Sequence, residues 1–537
     1  MAEYYQSLKY CEKIIDNLNY EKNISYIEIY QLIALNYIQM FDLEKAKVFL
    51  KICESIDINN NKNKEILLLI QEEEKKNEEN IKKYKSYPSY LNFMKTLYKM
   101  GIYMNKVEIN FVSDNYRFCR AKKDIYRNEM LFTIPLKSLI TLDTAKESQI
   151  GKYFTDKIKN KLYSSRHSLL TVFLLNEMDK GNQSKWKFYI DFLPSNYSSF
   201  PTFFSTKELE YLKGTQFLEI LEKKKNNIKN DYDILIKEIP GLSKYNFSFF
   251  KKMREVVGSR VFGVNIRNHS NTIIVPFADL LNHKRPTKTY WNYNNIKEIF
   301  YIKSIHSIAM GDEVFDSYGI KSNSIFLLNY GFTVENNTEN TIYIKIPLNE
   351  TYPYLKQKMS FLNYTKKNKF FQLKLNLKEV NAEQFFSFLR LLLYNESDFI
   401  NIKTKKPTSI ENEKEVLKKI KEIMAYYINK YPTNLEDDIN YLKKYKNMMD
   451  FNEYNCYVIR KSEKEILYFY FNMAKDILQL FNIDNKSYMS QLYKKMNTSR
   501  YDYAYDNDSF YKKLFKYKEY LLPLFPSLIE KKEIYHK

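Results

Sequence analysis

Cysteine is scarce in this chain. The four residues Cys11, Cys53, Cys119 and Cys456 are scattered over 537 positions, and no two make a CxxC pair. That pattern argues against a disulfide framework or a zinc cluster and suits a reducing compartment. Arginine is scarce too, supplying 11 of the 85 basic residues. The net charge of +21 is therefore mostly lysine, spread through a chain rich in Lys, Asn, Ile and Tyr. Such a bias resembles coding composition, and scattered lysines form a solvated face. Nucleic-acid readers favour arginine forks and a local basic stripe; without one, nucleic acid is not expected as a specific ligand. Long apolar runs are missing as well, since none approaches the roughly 18 residues of a membrane span. The nearest, "FFSFLRLLLY", is interrupted by Arg390. The opening "MAEYYQSLKYCEK" has no apolar core of a secretory signal. These absences predict an intracellular protein, cytoplasmic or nuclear, with no membrane partner.

What is present predicts folded domains. A hydrophobic fraction of 44% with 16% aromatics excludes a disordered polymer, and the length suggests roughly three domains. Residues 1–83 read as helices. Within them "IYQLIALNYIQMFDLEKAKVFLKICESIDINN" is similar to one tetratricopeptide repeat, with Ala34 and Ala46 where paired helices would touch and Tyr37, Leu50 and Cys53 around them. Ile58 stands at the usual late proline, and an amphipathic hairpin offering a surface to a protein partner fits the same residues. "QEEEKKNEENIKKYK" reads as a charged helix or linker. Short β-branched and aromatic runs then read as strands: "VEINFVSDNYRFCRAKKDI", "EMLFTIPLKSLIT", and later "TIIVPF", "EIFYIKSI" and "EVFDSYG". Between them, from about 142 to 256, the pattern is helical. From about Thr351 onward long Lys/Glu-bearing helical patterns dominate. The fold class is α+β: a β-rich domain at 84–340 split by a helical insert, flanked by N-terminal helices and a helical domain at 341–537.

The stretch "PFADLLNH" sets Asp279, Asn282 and His283 at i, i+3 and i+4, on one face if this is a helical turn. A metal site, a satisfied core turn and a pocket for a polar ligand all fit that stretch taken alone. Downstream comes "GDEVFDSYGIKSNSIFLLNYGF", Gly311 to Phe332. Together the two resemble the C-terminal signature of SET-domain methyltransferases, and most of all the Rubisco large-subunit lysine methyltransferase family. The likeness runs from about Tyr90 to about Tyr470, through "WKFYIDFLPSNYSSFPTFFSTKELEYLKGT", "VVGSRVFG", "YPTNLEDDINYL" and "RKSEKEILYF". The first eighty residues fall outside it.

The resemblance implies a SET domain with a helical insert, a helical substrate-binding domain, and methyl transfer from S-adenosylmethionine to a lysine amine of a protein, histone or non-histone. It assigns the cofactor to Arg260, Asp279, Asn282, His283 and Tyr318, catalysis to Tyr318 as well, and the substrate channel to Phe262, Ala278 and Tyr330. A planar guanidinium suits the cofactor carboxylate, and a metal is not expected, since no further His or Cys cluster completes a shell. The family's glycine-x-glycine loop is replaced by Tyr116-Arg117-Phe118, which would also border the cofactor. Two alternatives stand beside this reading. One is a catalytically weak SET scaffold that binds protein partners. The other is the same fold methylating histidine, although Phe262 and Ala278 offer an imidazole no polar partner.

Overall fold

The structure, a computed structural model, describes residues 7, 11, 26–39, 43–83, 96–97, 100–104, 106–113, 116–377, 379–402, 404–405 and 407–481. Most of the lead-in segment after Tyr90 and the stretch 482–537 of the predicted helical domain lie outside them. The chain divides into two compact units, residues 1–197 with 226–319, and residues 198–225 with 320–537.

In the first unit the β-branched and aromatic runs form short strands. The strands are β1 (Tyr103–Met104), β2 (Val107–Ser113), β3 (Tyr116–Ala121), β4 (Met130–Pro135), β5 (Ile140–Thr141), β6 (Val261–Ile266), β7 (His269–Ile274), β8 (Thr289–Asn294) and β9 (Ile299–Ser304). They make three antiparallel sheets, ordered β1-β4-β9-β8, β2-β3 and β5-β7-β6. In β9, Phe300, Ile302 and Ser304 point inward while their neighbours are half-buried. Their partners in one core include Phe132, Ile134, Ile273, Val275 and Phe277. "EVFDSYG" departs from its predicted strand. It makes isolated bridges at Glu313 and Asp316, because it meets a different neighbour at each end.

The helices Tyr26–Gln39, Leu43–Ile56 and Asn61–Lys83 bury Ala34 and Ala46 completely, in one cluster with Leu50, Ile66 and Ile70. The third helix supplies Ile66 and Ile70, the cover that one two-helix repeat lacks. Ile58 is exposed in the turn before it.

The second unit adds a strand pair to the helices read at 341–537. A strand pair, β10 (Ile342–Pro347) and β11 (Asn368–Leu373), lies against the helices Val380–Leu393, Ile410–Ile428 and Phe451–Phe481. The signal for β10 is the strict alternation of "IYIKIP", in which Ile342, Ile344 and Ile346 are fully buried. Arg390, the charge inside "FFSFLRLLLY", is buried on the helix Val380–Leu393 and bidentate to Glu413, 2.8 Å on each oxygen. No helix among the described residues is long and apolar enough to cross a membrane.

Candidate active site

Three segments of the first unit bring the chemistry-bearing residues together. The helix Phe247–Arg260 starts on an Asn246 cap, whose Oδ1 accepts from Phe249 N–H at 2.9 Å, and runs straight into β6. Its last residue, Arg260, is therefore fixed by both elements. Arg260 Nη1 donates to Asp279 Oδ2 at 2.9 Å and to the Asp279 carbonyl at 3.2 Å. The Asp279 side chain is 1% exposed. Burial, the largest single influence, pulls the Arg260 guanidinium down, but the Asp279 charge and hydrogen bond together with the neighbouring Tyr197 and Tyr189 outweigh it and hold Arg260 well above its ordinary value.

The second segment corrects the helical-turn reading of "PFADLLNH". After β7 the chain bends at Phe277, which is buried with φ of 82°, into a 3-10 turn over Ala278–Leu280. The tight turn stops at Leu280, so Asp279 faces Arg260 while Asn282 and His283 follow in non-helical backbone. Helical spacing does not hold, and the three polar groups divide between two sets of partners.

The third segment, Gly311–Gly319, runs between β3 and residues 282–284. Ala121 N–H donates to the Asp312 carbonyl and Val314 N–H to the Cys119 carbonyl. Further along, Asp316 N–H donates to the Asn282 carbonyl and Lys284 N–H to the Asp316 carbonyl. This lacing seats Tyr318 on His283: their rings stack at 5.2 Å, and Tyr318 N–H donates to His283 Nδ1 at 3.0 Å. The neutral imidazole then carries its proton on Nε2. The Tyr318 hydroxyl donates to the Leu281 carbonyl at 2.8 Å. Asn282 Nδ2 donates to Glu313 Oε1 at 2.8 Å and lies 3.5 Å from the Arg117 carbonyl. Gly319 closes the segment at φ of 98°, a conformation that favours glycine.

Residues 116–118 are not a loop, as the sequence reading had them, but the start of β3, paired with β2 as Ser113↔Tyr116, Phe111↔Arg117 and Asn110↔Phe118. The β-propensity of Tyr, Phe and Cys in "YRFCRA" accounts for this. Phe118 is half-buried, whereas Arg117 is buried, its guanidinium 4.5 Å above the Phe192 ring. Phe262 on β6 packs edge-on against Trp291 and Phe300, at 5.2 and 5.3 Å, and Ala278 is buried. Tyr330 lies in the second unit, ending the helix Asn323–Tyr330, with its ring against Phe326 and Phe332.

Sequence reasoning missed three aromatic residues of "WKFYIDFLPSNY". Tyr189 donates its hydroxyl to Asp279 Oδ2 at 2.6 Å, Phe192 stacks under Arg117, and Tyr197 is buried beside Arg260. Burial first, then the Asp279 charge, raises the Tyr189 phenol well above its usual value, so it stays a neutral donor. Within this cluster Arg260 Nε and Asp279 Oδ1 are buried without a hydrogen-bond partner. Each such atom costs about 1–3 kcal/mol until something pairs it.

Asp316 is 2% exposed, and burial pushes its carboxyl up to about 7, against the opposing hydrogen bond from Ser317 N–H. A raised carboxyl means the folded state holds the proton more tightly than the unfolded chain. Its stabilising share is whole below about pH 4 and is lost as pH rises toward 7. Asp316→Asn keeps an acceptor for Ser317 and removes the ionisation. The variant is expected to match wild type at pH 4 and to exceed it at pH 8 by more than about 1.4 kcal/mol, the worth of one pKa unit. Urea unfolding at the two pH values checks this; equal gaps at both would refute it.

Comparison with known proteins adds two matches. A SET domain model matches residues 116–319, and a Rubisco LSMT substrate-binding model matches residues 349–467. The chain is 28% identical over 249 residues to the ribosomal lysine N-methyltransferase set10 of Schizosaccharomyces pombe, covering 45% of this chain and 44% of that one. It is 26% identical over 255 residues to the actin-histidine N-methyltransferase of Homo sapiens, covering 45% and 42%. The matches span less than half the length of these two relatives. Among solved structures it resembles the SET domain of LSMT bound to lysine and AdoHcy, with a TM-score of 0.61 at 23% identity, over 79% of this chain and 98% of that one. That likeness establishes the fold.

Proposed function

We propose that this chain, which carries a SET domain followed by a Rubisco LSMT substrate-binding domain, transfers methyl groups from S-adenosylmethionine to lysine amines of a protein substrate inside the cell. One observation carries the cofactor part: an orphaned buried donor, Arg260 Nε, and an orphaned buried acceptor, Asp279 Oδ1, in a single cluster. An α-amino acid end offers both complements, a carboxylate and an ammonium. The donor's sulfonium supplies an electrophilic methyl, so the protein need only present a neutral amine in line with it.

The residues divide that work. Arg260 and Asp279 hold the amino-acid end, and Tyr189 fixes Asp279. Asn282 and His283 form the adjoining wall, tied to Glu313 and Tyr318. The Tyr318 hydroxyl spends its proton on the Leu281 carbonyl, which leaves its oxygen lone pairs to orient the incoming amine. Phe262 and Ala278 keep the approach apolar. A lysine with its ordinary pKa near 10.4 costs about 4.6 kcal/mol to neutralise at pH 7, and an apolar approach beside a cation lowers that cost. The same apolar pair disfavours histidine as the acceptor, since an imidazole needs a polar partner to orient it.

Incubation of the protein with methyl-labelled S-adenosylmethionine and a proteome extract, followed by mass spectrometry, tests the proposal. Label on lysine is the expected result. Label on histidine alone, or cofactor binding with no labelled product, would replace this reading with the histidine enzyme or the scaffold.

A further inference from the structure

In the second unit the helix Leu435–Tyr445 starts on a capping box between Asn434 and Asp437. A buried charge cluster ties it to the helix Phe451–Phe481, where Asp438 pairs with Arg460 and, at 2.7 Å, with Lys464 Nζ. With that side fixed, Ile439, Leu442, Lys443 and Lys446 fall at i, i+3, i+4 and i+7, one stripe of a helical surface. Tyr454, Val458, Lys461 and Glu465 make the facing stripe on the longer helix. Together with the turns at 335–340 the two stripes enclose a cavity of about 270 Å³. Ile439, Leu442 and Tyr454 are half-buried in it and Val458 is buried, so its lining is largely apolar. Its charges are nearly matched: Lys446 pairs with Glu335 at 2.5 Å and Lys461 with Glu465 at 3.4 Å. Lys443 is exposed and has no carboxylate at ion-pairing distance among the described residues.

We propose that this cavity docks a partner protein by one bulky apolar side chain with an acidic residue next to it in the partner's sequence. The volume lies below the roughly 300–1,000 Å³ of small-molecule sites, which suits a single inserted side chain better than a cofactor. The half-buried apolar lining gives that side chain a surface to leave water for. The rim sets the charge. Glu335 and Glu465 each already hold a lysine, so an incoming cation would meet Lys443 uncompensated, whereas an incoming carboxylate completes it. The chain leaving Lys446 exposes Met448 and Phe451, further apolar surface for a longer partner segment. Every residue of the cavity belongs to the second unit, and Arg260, Asp279 and Tyr318 belong to the first. Docking here therefore goes beyond methyl transfer and requires no cofactor.

Biolayer interferometry of the full chain, without cofactor, over three immobilised glycine-flanked peptides tests this. Their central pairs are Leu-Glu, Leu-Lys and Ala-Glu. Wild type is expected to favour Leu-Glu over Ala-Glu by about 10-fold, for the buried leucine side chain. It should favour Leu-Glu over Leu-Lys by about 3- to 10-fold, for one charge at an exposed rim. Lys443→Glu should reverse the order of Leu-Glu and Leu-Lys, and Lys443→Arg should keep it. Lys443 is exposed, so neither variant threatens the fold. An unchanged order in the Glu variant, or no binding of any peptide, overturns the docking site and leaves the methyl-transfer reading standing. Light scattering that shows a wild-type dimer dissolved by Lys443→Glu also overturns it, since the cavity then takes a second copy of the chain. Peptide docking in the expected order by a chain that transfers no methyl group removes the methyl-transfer reading alone.

Discussion

Arg260→Ala is expected to destabilise the first unit by about 3–5 kcal/mol, the range for removing one partner of a buried ion pair. The Asp279 side chain is 1% exposed, and Arg260 Nη1 is its cationic partner at 2.9 Å. Without Arg260 the carboxylate keeps the Tyr189 hydroxyl and little else among the described residues, and one neutral donor does not repay burial of a full charge. The change thus damages folding as well as any ligand site, and lost binding in this variant alone would be ambiguous. A second variant separates the effects. Arg260→Met combined with Asp279→Leu removes both charges at similar volume, so its stability should return to within about 1–2 kcal/mol of wild type. Cofactor binding, which needs the charges, should stay absent. Urea unfolding of both variants, paired with calorimetry, checks the argument. An Arg260→Ala protein as stable as wild type would mean that the pair contributes nothing to the fold.

Residue types were easier to read from this chain than geometry. The alternating run "IFYIKS" announces β9 because one of its faces must be buried, and the continuous apolar run "TIIVPF" holds the end of β7, where Ile273 and Ile274 are both fully buried. "PFADLLNH" announces its chemistry but not its shape. The i, i+3, i+4 spacing assumes a helix, and a single residue at φ of 82°, Phe277, begins a 3-10 turn instead. No sequence pattern marks an aromatic residue for positive φ; the surrounding core imposes it, with Phe277 packed on Phe132 at 5.0 Å. The Tyr189–Asp279 bond joins residues 90 apart in sequence. In a chain with 49 tyrosines, nothing local distinguishes that one. The side-chain direction of Arg117 was hidden for a related reason. A three-residue substitution in an expected loop shows that glycine is missing, but the direction of the side chain depends on the strand register with β2. The pattern "IYIKIP" was legible, yet the helical signals after it masked a strand of six residues.

Tyr318→Phe should leave folding and cofactor affinity close to wild type and lower turnover by about 10- to 1000-fold, the range for one positioning or electrostatic group. The ring stack on His283 and the Tyr318 N–H bond to His283 Nδ1 do not involve the hydroxyl, so the variant keeps both. What it loses is an oxygen whose proton is committed to the Leu281 carbonyl at 2.8 Å. That commitment argues against Tyr318 as the base: a phenolate would face the carbonyl oxygen with no proton between them, a repulsive pair. On the proposed function, the substrate lysine would then lose its proton to solvent before transfer. An amine with a pKa above neutrality is increasingly competent as pH rises, so the wild-type rate should climb from pH 7 toward pH 9. The Phe variant should climb in parallel at a lower level, because a positioning group changes the height of the profile and leaves the titrating amine alone. If Tyr318 were the base, the variant would lose the pH dependence along with the rate. Single-turnover methylation of an identified substrate across that range decides between them. Full activity in the Phe variant would remove Tyr318 from the mechanism.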